Sequence, residues 1–243
     1  MSRRSLLLAI CIGLLLAVGS AAALFAAVRH EPAVFVRAPM PDEPEARHRL
    51  SGECLERILA LYNAINGDRE WDEEFTDEQI NSYLGGEFIR QGIDRQLLPD
   101  GISEPRVVFG ADSIHLAFRY GTGTWSTIIS IDLRVWVPRC EPNVVALELQ
   151  GFHAGALPIS TQSLLERIGE VGRMTAVDIA WYRHNGHPVA LLRFGTDSPR
   201  TTMFLDTLRL QPGSLAVKVR TAEPTSAHVM LPRADTGLTN ADN

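Results

Sequence analysis

The chain has 243 residues, 45% of them hydrophobic and 21% charged, with a formal net charge of −6. That composition suits one sizeable folded domain with additions at its ends. The acidic balance argues against a nucleic-acid partner, which calls for a basic patch or a high pI.

From Leu6 to Val28 no charge interrupts the run LLLAICIGLLLAVGSAAALFAAV. As a helix it rises about 34 Å, enough to cross a bilayer core of ~30 Å. Arg3 and Arg4 precede it, and the positive-inside bias puts that end in the cytoplasm. The expectation is a single-pass protein of the cytoplasmic membrane, held through residues 6–28. Residues 1–30 form the cytoplasmic start and anchor, and the C-terminal domain is extracytoplasmic. The rival is a cleaved signal peptide, with Leu6–Val18 as apolar core and Ala21, Ala22 and Ala23 as small residues for cleavage. The apolar run continues through Leu24, Phe25 and Val28, longer than such a core needs, which favours the uncleaved anchor.

Residues 31–46 (EPAVFVRAPMPDEPEA) hold four prolines and read as an extended linker lifting the domain off the membrane. The domain itself spans residues 47–220. Leu50, Cys54, Leu55, Ile58, Leu61, Tyr62 and Ile65 share one face at helical spacing, and Gly67 stops that helix. In FTDEQINSYL (75–84), Thr76 is an N-cap and Gln79 completes a capping box, with Phe75 and Ile80 as a hydrophobic staple. Asp77 and Glu78 suit the positive end of the helix dipole. Asn81 and Ser82 are the polar residues left without an evident job. The acidic cluster Glu70–Glu78 reads as a solvated helix start.

After Pro105 the period becomes alternating. RVVF and SIHLAFRY predict two strands turning at Gly110 and Asp112. Thr124 to Val137 then alternates as one long strand, with Trp125, Ile129, Ile131 and Leu133 on the same face. Fourteen residues would span about 46 Å, against a usual strand of ~5–6 residues. Val144–Phe152 is its partner, and a helix begins at Ser160 or Thr161 and runs to about Val171. Four strands follow: Ala176–His184, His187–Phe194, Met203–Leu210 and Leu215–Arg220. Asn185-Gly186 is a two-residue hairpin signal. Residues 221–243 turn small and polar and predict a loosely ordered tail. The fold class is α+β: a long curved antiparallel sheet of about seven to eight strands packed on two to three helices, behind one N-terminal transmembrane helix.

The helix start Thr76, Asp77, Glu78, Ile80 and Asn81, together with Gly155, Leu157 and Pro158 before a helix, resembles the YpmS-type families. Those are bacterial proteins with one membrane anchor and an extracytoplasmic domain of unknown function. A long curved sheet wrapped on a helix is more distantly similar to tubular lipid-binding (TULIP) domains. The resemblance covers roughly residues 50–220. It implies a membrane-tethered domain, brings lipid to mind as ligand, and supplies no catalytic residue.

The sequence carries no GxSxG, HExxH, Walker loop, GxGxxG or paired CxxC, so it assigns no catalytic residue, metal or cofactor. A Ser/His/Asp set can be assembled from many residues, but no local signature selects one. His184 and His187 flank the Asn-Gly turn close enough to share a metal, yet the local sequence adds only Asp178, short of a zinc site. His153 reads as a polar filler at a strand end and Asp132 as a solvated residue beside Arg134. Cys54 and Cys140 sit in an oxidising compartment where pairing is open, although Cys54 also fits the apolar helix face as a small hydrophobe. Two functions follow. One is a membrane-tethered module binding lipid or another apolar ligand along Trp125, Ile129, Ile131 and Leu133. The alternative is a structural or assembly partner in the bacterial cell envelope, docking through Trp136 and Ile128.

Overall fold

The computed structural model describes residues 3–66, 69–138, 141, 143–162, 165, 178–193 and 203–221. The fold is α+β, with antiparallel sheets, a few helices and an N-terminal apolar helix. That helix, α1 (Arg3–Val28), is long and apolar enough to cross a membrane. From Cys11 to Phe25 it is exposed along its whole length, as a lipid-facing surface must be. Signal sequences share that length and composition.

Beyond α1 the chain does not run on as an extended spacer. One turn of helix, α2 (Ala33–Val36), lies against the main sheet, and Phe35 sits beneath the Arg119 guanidinium at 5.4 Å. Pro39 and Pro41 offer carbonyls that the domain uses. The prolines deny this stretch a long helix but leave its carbonyls free to be gripped from the side. The linker of 31–46 is therefore part of the domain's outer layer.

Next come α3 (Pro44–Asn66), β1 (Trp71–Thr76), α4 (Asp77–Gly85) and two short helices, α5 (Glu87–Arg90) and α6 (Ile93–Leu97). Cys54 and Ala64 turn inward from α3, while Tyr62, expected on the buried face, is exposed. β1 corrects the reading of Glu70–Glu78 as a solvated helix start. Trp71 and Phe75 alternate into the core with rings 5.9 Å apart, and Asp72, Glu74 and Thr76 face outward. Its acids are neutralised in place: Lys218 lies 3.6 Å from Asp72 and Arg57 lies 3.3 Å from Glu73.

The remaining strands are β2 (Ile102–Phe109), β3 (Ser113–Tyr120), β4 (Thr127–Trp136), β5 (Val144–Ala154), β6 (Leu157–Pro158), β7 (Asp178–His184), β8 (His187–Arg193), β9 (Met203–Gln211) and β10 (Ser214–Thr221). They form two sheets rather than one. The larger runs β2-β3-β4-β5-β8-β7 with β6 on β5, and the smaller runs β1-β10-β9. The last hairpin thus leaves the main sheet to pair with β1. Asn185 and Gly186 both take left-handed backbone at the β7–β8 tip, as a two-residue hairpin requires. Ser160 Oγ accepts from Gln162 N–H, which marks the predicted helix start; most of that helix, residues 222–243 of the tail, Gly67 and Cys140 lie outside the described residues, and Thr221 ends β10.

Three apolar clusters fill the interior. Cys54, Trp71 and Phe75 pack between α3, α4 and the small sheet. Phe109, Val135, Val145 and Leu210 join the two sheets, with Ile80 of α4 touching both clusters. Ile129, Ile131 and Leu149 form the third, farther along β4.

Candidate functional site

The stretch FTDEQINSYL ties the molecule together. Thr76 Oγ1 accepts from Gln79 N–H at 3.2 Å, and Gln79 Oε1 accepts from Thr76 N–H at 3.1 Å, so the capping box is complete. Phe75 and Ile80 meet in one cluster, which closes the staple. Asp77 N–H donates to Gly213 O, and Gly213 N–H donates to Phe109 O, linking α4 to the β9–β10 turn and to β2. Burial pushes the Asp77 carboxyl above its ordinary 3.8, while donors from Glu78 and Phe109 restrain the rise.

The two residues without an evident job differ sharply. Asn81 is 0% exposed and works as a backbone mimic against the free edge of β2. Its Nδ2 donates to Val107 O at 2.8 Å and to Pro39 O at 3.1 Å, and its Oδ1 accepts from Val107 N–H at 2.8 Å. Ser82, also 0% exposed, has a hydroxyl without a hydrogen-bond partner among the described residues.

Of the four residues proposed to line a ligand face, Ile129, Ile131 and Leu133 meet in one cluster and Trp125 does not join them. β4 begins at Thr127, so the strand expected over Thr124–Val137 is shorter at its start. Trp125 lies before it in a 3-10 turn (Gly123–Trp125) and is 85% exposed. Ile129 and Ile131 are buried in the third cluster, and Leu133 is half-buried between the second and third. Leu165 packs over Ile129, Ile131 and Leu149. Ile128 is only 1% exposed, because the opposite face of β4 is also covered at this end. A docking patch of Ile128 with Trp136 is therefore ruled out. Trp136 keeps partial exposure and has the Arg134 guanidinium 6.0 Å over its ring.

An open cavity of about 380 Å³ lies beyond Leu165, lined also by Trp181, Tyr182, Arg183 and Pro188. Its wall is the β7–β8 hairpin, which periodicity identified as strands without showing that an apolar helix residue would stand off from it. Trp181 and Tyr182 are each about two-fifths exposed, so two aromatic side chains meet water here. β8 pairs with β5 only as far as Glu148, opposite Val189.

On the opposite face the structure joins residues that spacing did not. His115 Nδ1 is 2.7 Å from Asp132 Oδ1, and Ser113 Oγ is 3.1 Å from His115 Nε2. Ser113 and His115 share a strand face at i and i+2, and His115 pairs directly with Asp132. The set has the connectivity of a nucleophile relay. Acyl transfer also needs donors aimed at a developing oxyanion, and a donor beside the hydroxyl, Gly110 N–H, is already bonded to Ser113 O at 2.8 Å. The set acts as a polar tie between β3 and β4. His153 pairs with Ser130 on β4. His184 and His187 face each other at the exposed hairpin tip, and among the described residues no group of three metal-ligating side chains forms. Cys54 carries a free thiol, pushed up to about 11 by burial.

The chain matches no protein-family model, no curated protein and no solved structure.

Proposed function

We propose that this chain is a single-pass membrane protein whose extracytoplasmic α+β domain binds lipid or another apolar ligand in the cavity beside Leu165. The carrying observation is that cavity. Its lining is chiefly aromatic and aliphatic, and its volume falls in the range of small-molecule sites. The Arg183 side chain at its wall supplies one cationic group, which suits an apolar chain ending in an anionic head. Arg3 and Arg4 at the start of α1 favour a cytoplasmic N-terminus. The tethered arrangement of the YpmS-type proteins fits this reading, as does the lipid binding of TULIP-like domains.

The ligand site moves from the sequence-based face to its margin, since Ile129 and Ile131 are packed by protein. Native mass spectrometry of the full chain released from membranes tests the reading. A stoichiometric lipid should survive removal of the detergent micelle, and Leu165→Trp, which fills the cavity, should lose it. Equal lipid retention by both proteins, or none by the wild type, would refute the site.

A further inference from the structure

The turn that carries Trp125 stands at the end of α1. Thr127, two residues on, donates from its hydroxyl to Val28 O at 2.5 Å. Gly155 N–H donates to Ile128 O at 2.7 Å, and Ala156 N–H donates to Ala27 O at 2.8 Å. Gly155 has left-handed backbone, and a Cβ there would overlap the Ala27 and Val28 carbonyl oxygens. The helix end is therefore seated flush on the sheet. Val28 is the last residue of α1 and Arg29 is the first charged residue beyond the span, with its guanidinium 5.4 Å over the Phe25 ring. A bilayer crossed by α1 has its outer boundary at this level, so Trp125 is within two residues of it.

Trp125 is the most exposed large hydrophobic side chain among the described residues, and Tyr120, which pairs with Thr127, is about half exposed. The turn is well tied. Gly121 N–H donates to Gly101 O, Trp125 N–H to Thr122 O, and Ser126 Oγ to Gly123 O, with Gly121 and Gly123 both left-handed. An ordered turn thus holds an indole out in solvent. Arg119 pairs with both Glu31 and Glu104, which leaves that cluster one net negative charge and favours zwitterionic over anionic headgroups beside it.

We infer that Trp125, with Tyr120 beside it, inserts among the lipid headgroups next to α1 and sets the rotation of the domain on its own bilayer. An indole or phenol has an apolar body and a polar tip, which places it at that depth. The inference rests on the membrane-anchored reading but not on the cavity.

The test uses the full chain in nanodiscs of phosphatidylcholine and phosphatidylglycerol, with or without lipids brominated high on the acyl chains. Trp125 is one of four tryptophans, so bromination should remove roughly a quarter of the emission if the four emit equally. Trp125→Phe should abolish most of that loss. Equal quenching in wild type and variant overturns the inference. So does an unquenched Trp125 that is also shielded from aqueous acrylamide, which would mean a protein covers it. Failure to enter nanodiscs overturns the anchored reading as well, whereas entry without quenching overturns this inference alone.

Discussion

Asn81 and Ser82 are neighbours on α4, both fully buried and both polar, yet their replacement by alanine should have opposite results. Asn81→Ala removes three hydrogen bonds and leaves the Val107 N–H and C=O without a partner. Each orphaned buried group costs about 1–3 kcal/mol, while the exposed Pro39 can hand its carbonyl to water. The two Val107 groups alone give about 2–6 kcal/mol, and about 3 kcal/mol is the expected loss once the edge of β2 relaxes. For a domain of this size each kcal/mol moves Tm by about 2–4 °C, so the variant should melt about 6–12 °C lower. Ser82→Ala deletes a hydroxyl that has no partner among the described residues, so it should be neutral or stabilising. The assay is thermal and urea unfolding of the full chain in one detergent, read by the buried Trp71 beside Phe75. Equal destabilisation by the two variants would refute the backbone-mimic role of Asn81, as would a neutral Asn81→Ala.

Thr76→Ala breaks one half of the capping box and should cost about 0.5–2 kcal/mol in the same unfolding assay. The folded state holds a proton on Asp77 more tightly than the unfolded chain. Its contribution is complete below 3.8 and declines as pH rises through the folded value; the pH slope of unfolding free energy should flatten in Asp77→Asn. Ile131→Trp overfills the third cluster and should cost about 1–3 kcal/mol in melting; tolerance with loss of lipid would restore the ligand face first read along β4. Ser113 should resist a fluorophosphonate probe in peptide mapping, and labelling that disappears in His115→Ala would make the polar tie a nucleophile.

What was legible in the sequence is what local chemistry dictates. The Thr76–Gln79 box, the Asn185-Gly186 turn and the α1 run each depend on neighbours a few residues away; the box and the turn form as read, and the run forms one helix long and apolar enough to cross a membrane. β1 was missed because WDEEFT is rich in acids that disfavour strands; its Trp71 and Phe75 alternation is short, and the basic partners Arg57 and Lys218 come from distant segments. Ser113, His115 and Asp132 showed only as two residues at i, i+2 and a third on another strand, joined by register. Trp125 is misplaced by periodicity because alternation runs unbroken through it, while the left-handed backbone at Gly121 and Gly123 folds it into a 3-10 turn ahead of the strand. The split into two sheets has no local signature, since it depends on which distant strand the last hairpin meets.

The pairing of β1 with β10 sets a timetable for synthesis. Trp71–Thr76 leaves the ribosome early, but the strand that covers it ends at Thr221. At ~5–20 residues per second the wait is on the order of ten seconds. Through that interval one edge of β1, the core face of α4 and the Asp77 N–H lack their final partners. Asp72, Glu73 and Glu74 then act as gatekeepers, since three adjacent acids discourage a waiting strand from pairing with another nascent chain. Truncations anywhere before β10 should therefore yield aggregation-prone chains rather than smaller folded domains, because β1 loses the strand it pairs with.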